Sequence, residues 1–156
     1  KNYIKIFISV FFIGYIKYIP GTFASLASVI FFYLLLKFLL LPKLLLVLIF
    51  LFIFFISIFL INEYSKITDT EDSSVIVIDE FLGVYFIFIF FNLLIIKNEF
   101  ITLILIFFLF RFFDMYKIFP ANLIDNKIKN GFGVIMDDIV AAIYTLVTIY
   151  IINVFI

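Results

Sequence analysis

The sequence predicts an all-α protein that crosses a membrane several times. Hydrophobic residues make up 67% of its 156 positions and charged residues only 14%, which is more apolar surface than a soluble domain of this size can bury. Because a membrane-spanning helix needs about twenty apolar residues, the chain has room for about four to five spans. We therefore expect a polytopic helical membrane protein with a single domain over residues 1–156.

Long apolar runs mark the expected spans. Four of them cover residues 22–41, 44–61, 75–96 and 138–156, and a shorter fifth runs from 100 to about 113 and ends in charge. Before them, residues 3–19 carry two lysines and stop at Pro20, which predicts an interfacial or re-entrant helix. A cleaved signal peptide is the alternative, disfavoured because no A-x-A cleavage site follows the run.

The lysines predict how the chain is oriented. If residues 3–19 do not span, the segments 1–21, 62–74 and 114–137 share one side of the membrane. Seven lysines lie on that side and three near the other, so the positive-inside rule places the first side in the cytoplasm. The seven are Lys1, Lys5, Lys17, Lys66, Lys117, Lys127 and Lys129, and the three are Lys37, Lys43 and Lys97.

Ten of the eleven acidic residues fall on the same side, and this agreement is independent of the topology, which depends on the lysines alone. They are Glu63, Asp69, Glu71, Asp72, Asp79, Glu80, Asp114, Asp125, Asp137 and Asp138, with Glu99 opposite. A charge inside a span costs about 2.5–3.5 kcal/mol. Asp79 and Glu80 lie between apolar residues, so we expect them to face other charges, whereas Glu63, Asp69 and Glu71 are expected to be solvated.

Composition also excludes several chemistries. The chain has no Cys, His or Trp, which removes thiolate nucleophiles, imidazole bases and the usual nitrogen or sulfur metal ligands. Any bound metal must therefore be held by oxygen. Eleven basic residues balance eleven acidic ones, so a nucleic-acid partner has no electrostatic support. No obligate protein partner is indicated.

Arg111, Asp114 and Lys117 follow one another at i, i+3 and i+6, which places them on one face of a helix. Arg111 is the single arginine beside ten lysines, and its planar fork of donors suits phosphate oxygens. A structural salt bridge between Arg111 and Asp114 explains the pair equally well, so both interpretations stay open.

Two glycine-containing segments are weaker signals. Pro20, Gly21, Thr22 and Ser25 introduce the first span, where Thr22 or Ser25 can cap the helix and Gly21 lets an anion approach its free N–H groups. Residues 130–133, Asn-Gly-Phe-Gly, precede two aspartates and are compatible with a flexible turn.

Four runs in order carry a resemblance to a known family. They are Gly14 with Pro20-Gly21-Thr22 and Ser25, Asp72 with residues 76–83, residues 110–117 with Pro120 and Asp125, and residues 131–141. Over residues 14–145 the chain resembles the phosphatidylglycerophosphatase A family of bacterial inner-membrane lipid phosphatases. It departs at Ala24, Ile118, Asn126 and Asn130, where the family usually has Gly, Pro, Arg and Gly. No carboxylate is lost, and Lys127 can replace the phosphate contact missing at Asn126.

The resemblance implies magnesium-dependent removal of the terminal phosphate of phosphatidylglycerophosphate, giving phosphatidylglycerol. The substrate partner is then a phospholipid in the membrane, and the active site faces the cytoplasm from the bacterial cytoplasmic (inner) membrane. Mg²⁺ suits all-oxygen ligation, and we expect it to be held mainly by Asp79, Glu80, Asp137 and Asp138.

The other expected catalytic residues act on water and phosphate. Asp114 is either a further ligand or the base, and Arg111 and Lys117 clamp the phosphate. The substrate-binding set adds Gly21, Thr22, Ser25 and Lys127. A nucleophilic Asp that forms a phospho-enzyme remains open.

Two functions of other classes fit parts of the sequence less well. A cation- or proton-coupled transporter would also use membrane carboxylates, but transport sites usually lie near the bilayer midplane, whereas these acids lie near one surface. A scaffold that binds acidic lipids would need the lysines but no buried carboxylates.

Overall fold

The computed structural model describes residues 2–68, 73–96 and 98–155, and all regular elements in this part are helical. The all-α prediction is confirmed. Lys1, Asp69, Glu71, Asp72 and Lys97, on which some of the expectations above depend, lie outside the described residues.

Eight α-helices and one 3-10 turn make up the described part of the chain. They are α1 (Asn2–Ile8), the 3-10 turn (Ile13–Tyr15), α2 (Pro20–Leu39), α3 (Lys43–Thr68), α4 (Ile78–Ile89), α5 (Phe91–Leu94), α6 (Glu99–Tyr116), α7 (Ala121–Lys127) and α8 (Gly131–Phe155). Of these described helices, α2, α3 and α8 are long and apolar enough to cross a membrane. The helical membrane fold is therefore confirmed, although in residues 2–68, 73–96 and 98–155 only these three helices meet the length and composition that a span requires.

The predicted span over residues 75–96 is interrupted. Its main helix, α4, has 12 residues and rises about 18 Å, less than the roughly 30 Å of a hydrocarbon core. The helix is then interrupted at Phe90, and the short α5 follows. Most of α4 is buried, because it packs against α2, α3 and α8.

The start of α8 lies seven residues before the predicted start at Asp138, so both aspartates lie well inside the helix. The Asn130 side chain caps its first turn by accepting hydrogen bonds from the N–H groups of Phe132 and Gly133, at 3.0 Å each. The flexible-turn interpretation of residues 130–133 is therefore wrong.

The N-terminal segment is not the one continuous helix that the sequence predicts. α1 ends at Ile8, and the next turn contains Val10, Phe11 and Phe12 with left-handed φ values of 46°, 52° and 71°. The Ile8 carbonyl accepts a hydrogen bond from the Val77 N–H at 3.0 Å. This bond ties the N-terminal segment to the residue that precedes α4.

A close contact at Gly83 brings three helices together. A Cβ at this position of α4 would lie 2.7 Å from the Phe110 ring of α6 and 3.2 Å from the Asp138 carbonyl oxygen of α8. A side chain here would force the Phe110 ring to move, so glycine allows the observed close packing. The first turn of α4, the end of α6 and the second turn of α8 consequently meet on one side of the molecule.

Candidate active site

A polar cavity of about 330 Å³ lies where these helices meet. All seven residues predicted to be catalytic line it, and they are Asp79, Glu80, Arg111, Asp114, Lys117, Asp137 and Asp138. The structure therefore brings together side chains that are up to 59 positions apart in the sequence. Gly21, from the predicted substrate-binding set, also lines the cavity.

Three carboxylates form the centre of the cavity. One oxygen each from Asp79, Glu80 and Asp138 lies within 4.8 Å of the other two. Glu80 Oε2 and Asp138 Oδ2 are buried, and neither has a hydrogen-bond partner among the described residues. Buried carboxylates this close repel one another and are costly when unpaired. The trio therefore fits a hard divalent cation such as Mg²⁺, which prefers oxygen ligands.

Asp137 lies outside this trio, although the sequence groups it with the metal ligands. Its Oδ2 accepts a hydrogen bond from Lys117 Nζ at 2.7 Å, and Lys117 also pairs with Asp125 Oδ1 at 2.8 Å. Burial works to lower the pKa of Lys117, but these two bonds outweigh it and hold the pKa above its ordinary value. Lys117 is therefore a fixed cation at the edge of the cavity.

Arg111 is the second cation. Its Nη1 pairs with Asp114, lies 3.8 Å from Glu80 Oε1 and donates to Ser25 Oγ at 3.5 Å. Its Nε is buried without a partner among the described residues. The predicted salt bridge to Asp114 is therefore present, and Arg111 also has a donor left for a ligand.

The first turn of α2 approaches the carboxylates very closely. A Cβ at Gly21 would overlap Glu80 Oε1 and lie 3.3 Å from Arg111 Nη1, so only glycine leaves room for Glu80. Ile19, which precedes the helix, has a left-handed φ of 45° and no capping side-chain bond. The capping roles predicted for Thr22 and Ser25 are wrong, since Ser25 Oγ donates to the Gly21 carbonyl at 2.8 Å.

The rest of the predicted substrate-binding set is only partly brought together. Ser25 contacts the site through Arg111, whereas Thr22 and Lys127 do not line the cavity and Lys127 is exposed. Lys129 and Asp125 line it instead. The resemblance had already included Asp125, but no pattern in the sequence distinguishes Lys129 from Lys127.

The fold and the cavity define a helical membrane protein with a polar cavity lined by carboxylates and basic side chains. A sequence model of the phosphatidylglycerophosphatase A family matches residues 6–153. The chain belongs to this family of phosphatases, as the resemblance implied, and the prediction that it is an enzyme is confirmed. The family favours the phosphatase over the transporter alternative.

Two relatives carry the name phosphatidylglycerophosphatase A. The protein from Haemophilus influenzae is 39% identical over 79 residues, which cover 51% of this chain and 46% of that protein. The protein from Escherichia coli is 30% identical over 135 residues, which cover 86% of this chain and 74% of that protein. No solved structure matches the chain.

Proposed function

We propose that this protein hydrolyses the terminal phosphate monoester of phosphatidylglycerophosphate in a magnesium-dependent reaction and releases phosphatidylglycerol. The observation that carries the proposal is the carboxylate trio, two of whose buried oxygens have no partner among the described residues, beside the cations Arg111 and Lys117 in one cavity. The choice of substrate is supported by the two relatives named phosphatidylglycerophosphatase A.

The trio of Asp79, Glu80 and Asp138 would hold the magnesium ion. Bound there, Mg²⁺ supplies Lewis acidity toward the phosphate oxygens. The carboxylates also keep the anionic phosphate at a distance unless a cation is present, because like charges repel. Activity should therefore depend on the metal for binding as well as for chemistry.

Arg111 and Lys117 stabilise the charge of the transferred phosphoryl group. Asp114 holds the Arg111 guanidinium, while Asp125 and Asp137 hold the Lys117 ammonium, so both cations are oriented before the substrate arrives. Preorganised donors of this kind commonly account for a large share of rate enhancement.

The reaction breaks the bond between phosphorus and the glycerol oxygen and forms a bond between phosphorus and the oxygen of water. The proton removed from water balances the one that the leaving glycerol oxygen takes up. A carboxylate of the cavity would accept the proton that water loses. Asp114 is the candidate base, because it lines the same cavity as the trio and pairs with Arg111.

The purified full-length chain in detergent micelles tests the proposal. Phosphate release from phosphatidylglycerophosphate should stop with EDTA and return with Mg²⁺, and phosphatidylglycerol should be the lipid product. Asp138→Asn should lower turnover by at least about tenfold. Glu99→Gln is the matched control, because Glu99 is an exposed acid that bonds Tyr33 away from the cavity. Full activity in a metal-free preparation would exclude magnesium dependence.

We also infer that the cavity faces the cytoplasm from the bacterial inner membrane, because of the lysine asymmetry. The chain has no native cysteine, so single cysteines can report the topology. An impermeant thiol reagent outside spheroplasts should label Glu99→Cys and leave Lys66→Cys unlabelled. The opposite pattern would place the cavity on the outer face of this membrane.

A further inference from the structure

A second, apolar cavity of about 660 Å³ lies between the N-terminal segment, α2, α3 and α4. Its walls include Phe7, Val10, Ala27, Phe31, Ile53 and Phe81. The volume is within the roughly 300–1,000 Å³ of small-molecule sites. We call this space the apolar groove. Its lining carries no Asp, Glu, Lys or Arg, and apart from Tyr3 and Ser28 it is apolar, so it favours an apolar group.

The apolar groove and the polar cavity share two helices. In the first turn of α4, Ile78 and Phe81 line the groove, while Asp79 and Glu80 line the polar cavity. On α2, Gly21 lines the polar cavity, and residues 27, 28 and 31 line the groove. Seven residues of helix separate Gly21 from position 28, a rise of about 10 Å.

We propose that the groove binds one acyl chain of the phospholipid substrate while its phosphate lies in the polar cavity. The proposal rests on the proposed function. An amphipathic lipid needs a polar site for its headgroup and an apolar site for its acyl chain, about a headgroup's length apart. Residues of α2 and α4 line both the polar cavity and the apolar groove. Because the bilayer is as apolar as the groove, the groove should orient the lipid more than it raises affinity.

The N-terminal wall of the groove has an unusual backbone. Val10, Phe11 and Phe12 all have left-handed φ, which is unfavourable for β-branched and aromatic residues. The Phe12 N–H donates to Ser9 Oγ at 3.0 Å and stabilises this turn. Strained backbone persists where the surroundings fix it and is frequent at ligand sites. The turn places Val10 and Phe11 in the wall, so this side of the groove depends on a specific backbone conformation.

Substitutions that fill the groove test the proposal. Ala27→Phe should lower kcat/KM for long-chain phosphatidylglycerophosphate on the order of tenfold, because a misdirected tail misplaces the phosphate. A short-chain analogue, whose tails do not fill the groove, should be hydrolysed at nearly the wild-type rate. Phe31→Ala enlarges the groove and should favour branched, bulkier chains. Val154→Phe, which also introduces a phenyl ring but at an exposed position near the end of α8, is the control and should change neither rate.

Photocrosslinking provides a readout independent of turnover. Phosphatidylglycerophosphate with a diazirine at the end of one acyl chain, bound to the full chain in micelles, should label the peptides that contain Phe7 and Phe31. Even labelling of all lipid-facing helices would overturn the proposal. An equal loss of long-chain and short-chain hydrolysis in a folded Ala27→Phe protein would also overturn it. If Ala27→Phe instead dissociated a dimer, the groove would be a contact between two copies of the chain, and the proposal would be wrong. Failure of the wild type on both lipids would instead refute the proposed function.

Discussion

Adding one methyl group at Gly21 is the most direct perturbation of the carboxylate trio. Gly21→Ala changes no charge and favours the helix locally, since alanine is the better helix former. Its Cβ, however, would overlap Glu80 Oε1 and lie 3.1 Å from Glu80 Cδ. We therefore expect Gly21→Ala to displace the Glu80 carboxylate while leaving α2 folded.

The size of the effect follows from the overlap. Nonbonded carbon atoms prefer separations of about 3.5–4.0 Å. Glu80 Oε1 lies closer to the added Cβ than Glu80 Cδ does, so the Glu80 carboxylate must move by about 1 Å. A misplacement of about 1 Å can cost roughly a hundredfold in rate. A hundredfold loss corresponds to about 2.7 kcal/mol of transition-state stabilisation.

The assay is kcat and KM for phosphatidylglycerophosphate over a series of Mg²⁺ concentrations, with thermal unfolding in detergent as the folding control. Gly21→Ala should lower kcat and raise the Mg²⁺ concentration for half-maximal activity. Glu80→Asp withdraws the carboxylate by one methylene, so it should cost less in the Gly21→Ala background than in the wild type. A folded Gly21→Ala protein with near-normal kcat would refute the reasoning that Glu80 must occupy this position.

Three further predictions separate the roles of the other charges. Arg111→Lys keeps the charge but loses the fork of donors, so kcat should fall on the order of a hundredfold; near-normal turnover in a folded protein would make Arg111 a structural ion-pair partner only. Asp138→Asn should raise the Mg²⁺ requirement at least about tenfold, whereas Asp137→Asn should lower kcat with little change in that requirement. An identical Mg²⁺ requirement in the two Asp variants would contradict the trio. Lys129→Ala should raise the KM for the lipid more than Lys127→Ala does, because only Lys129 lines the cavity, and steady-state kinetics showing the reverse order would favour the choice made from the sequence.

The broad fold could be predicted because the thickness of a bilayer fixes how long an apolar helix must be. The predicted first span, 22–41, differs from α2 by only two residues at each end. The break at Phe90 could not be predicted, because residues 86–96 are apolar except for Asn92, and tertiary packing decides where the helix ends. The left-handed turn at Val10 to Phe12 could not be predicted either, because Val and Phe disfavour a left-handed backbone conformation.

The candidate site could be predicted largely because charged residues are rare in such an apolar chain. The small number of charged residues and their side of the membrane were enough to predict that they lie close together. These features did not predict which acidic residue contacts which partner. Asp137 and Asp138 are adjacent, and successive helix residues point about 100° apart. Only the rotation of α8 against α4 and α6 shows that Asp138 joins the trio while Asp137 binds Lys117.

The contact at Gly83 also determines how closely the charged residues of the polar cavity lie. Phe110 and Asp138, the two residues packed against Gly83, belong to the helices that carry Arg111 and the third carboxylate of the trio. Dense apolar packing therefore sets the spacing of the charges, and the repulsion among the carboxylates cannot widen it without separating the helices. The proposed Mg²⁺ would therefore bind carboxylates that the helix packing already holds close together, and would not have to draw the helices together.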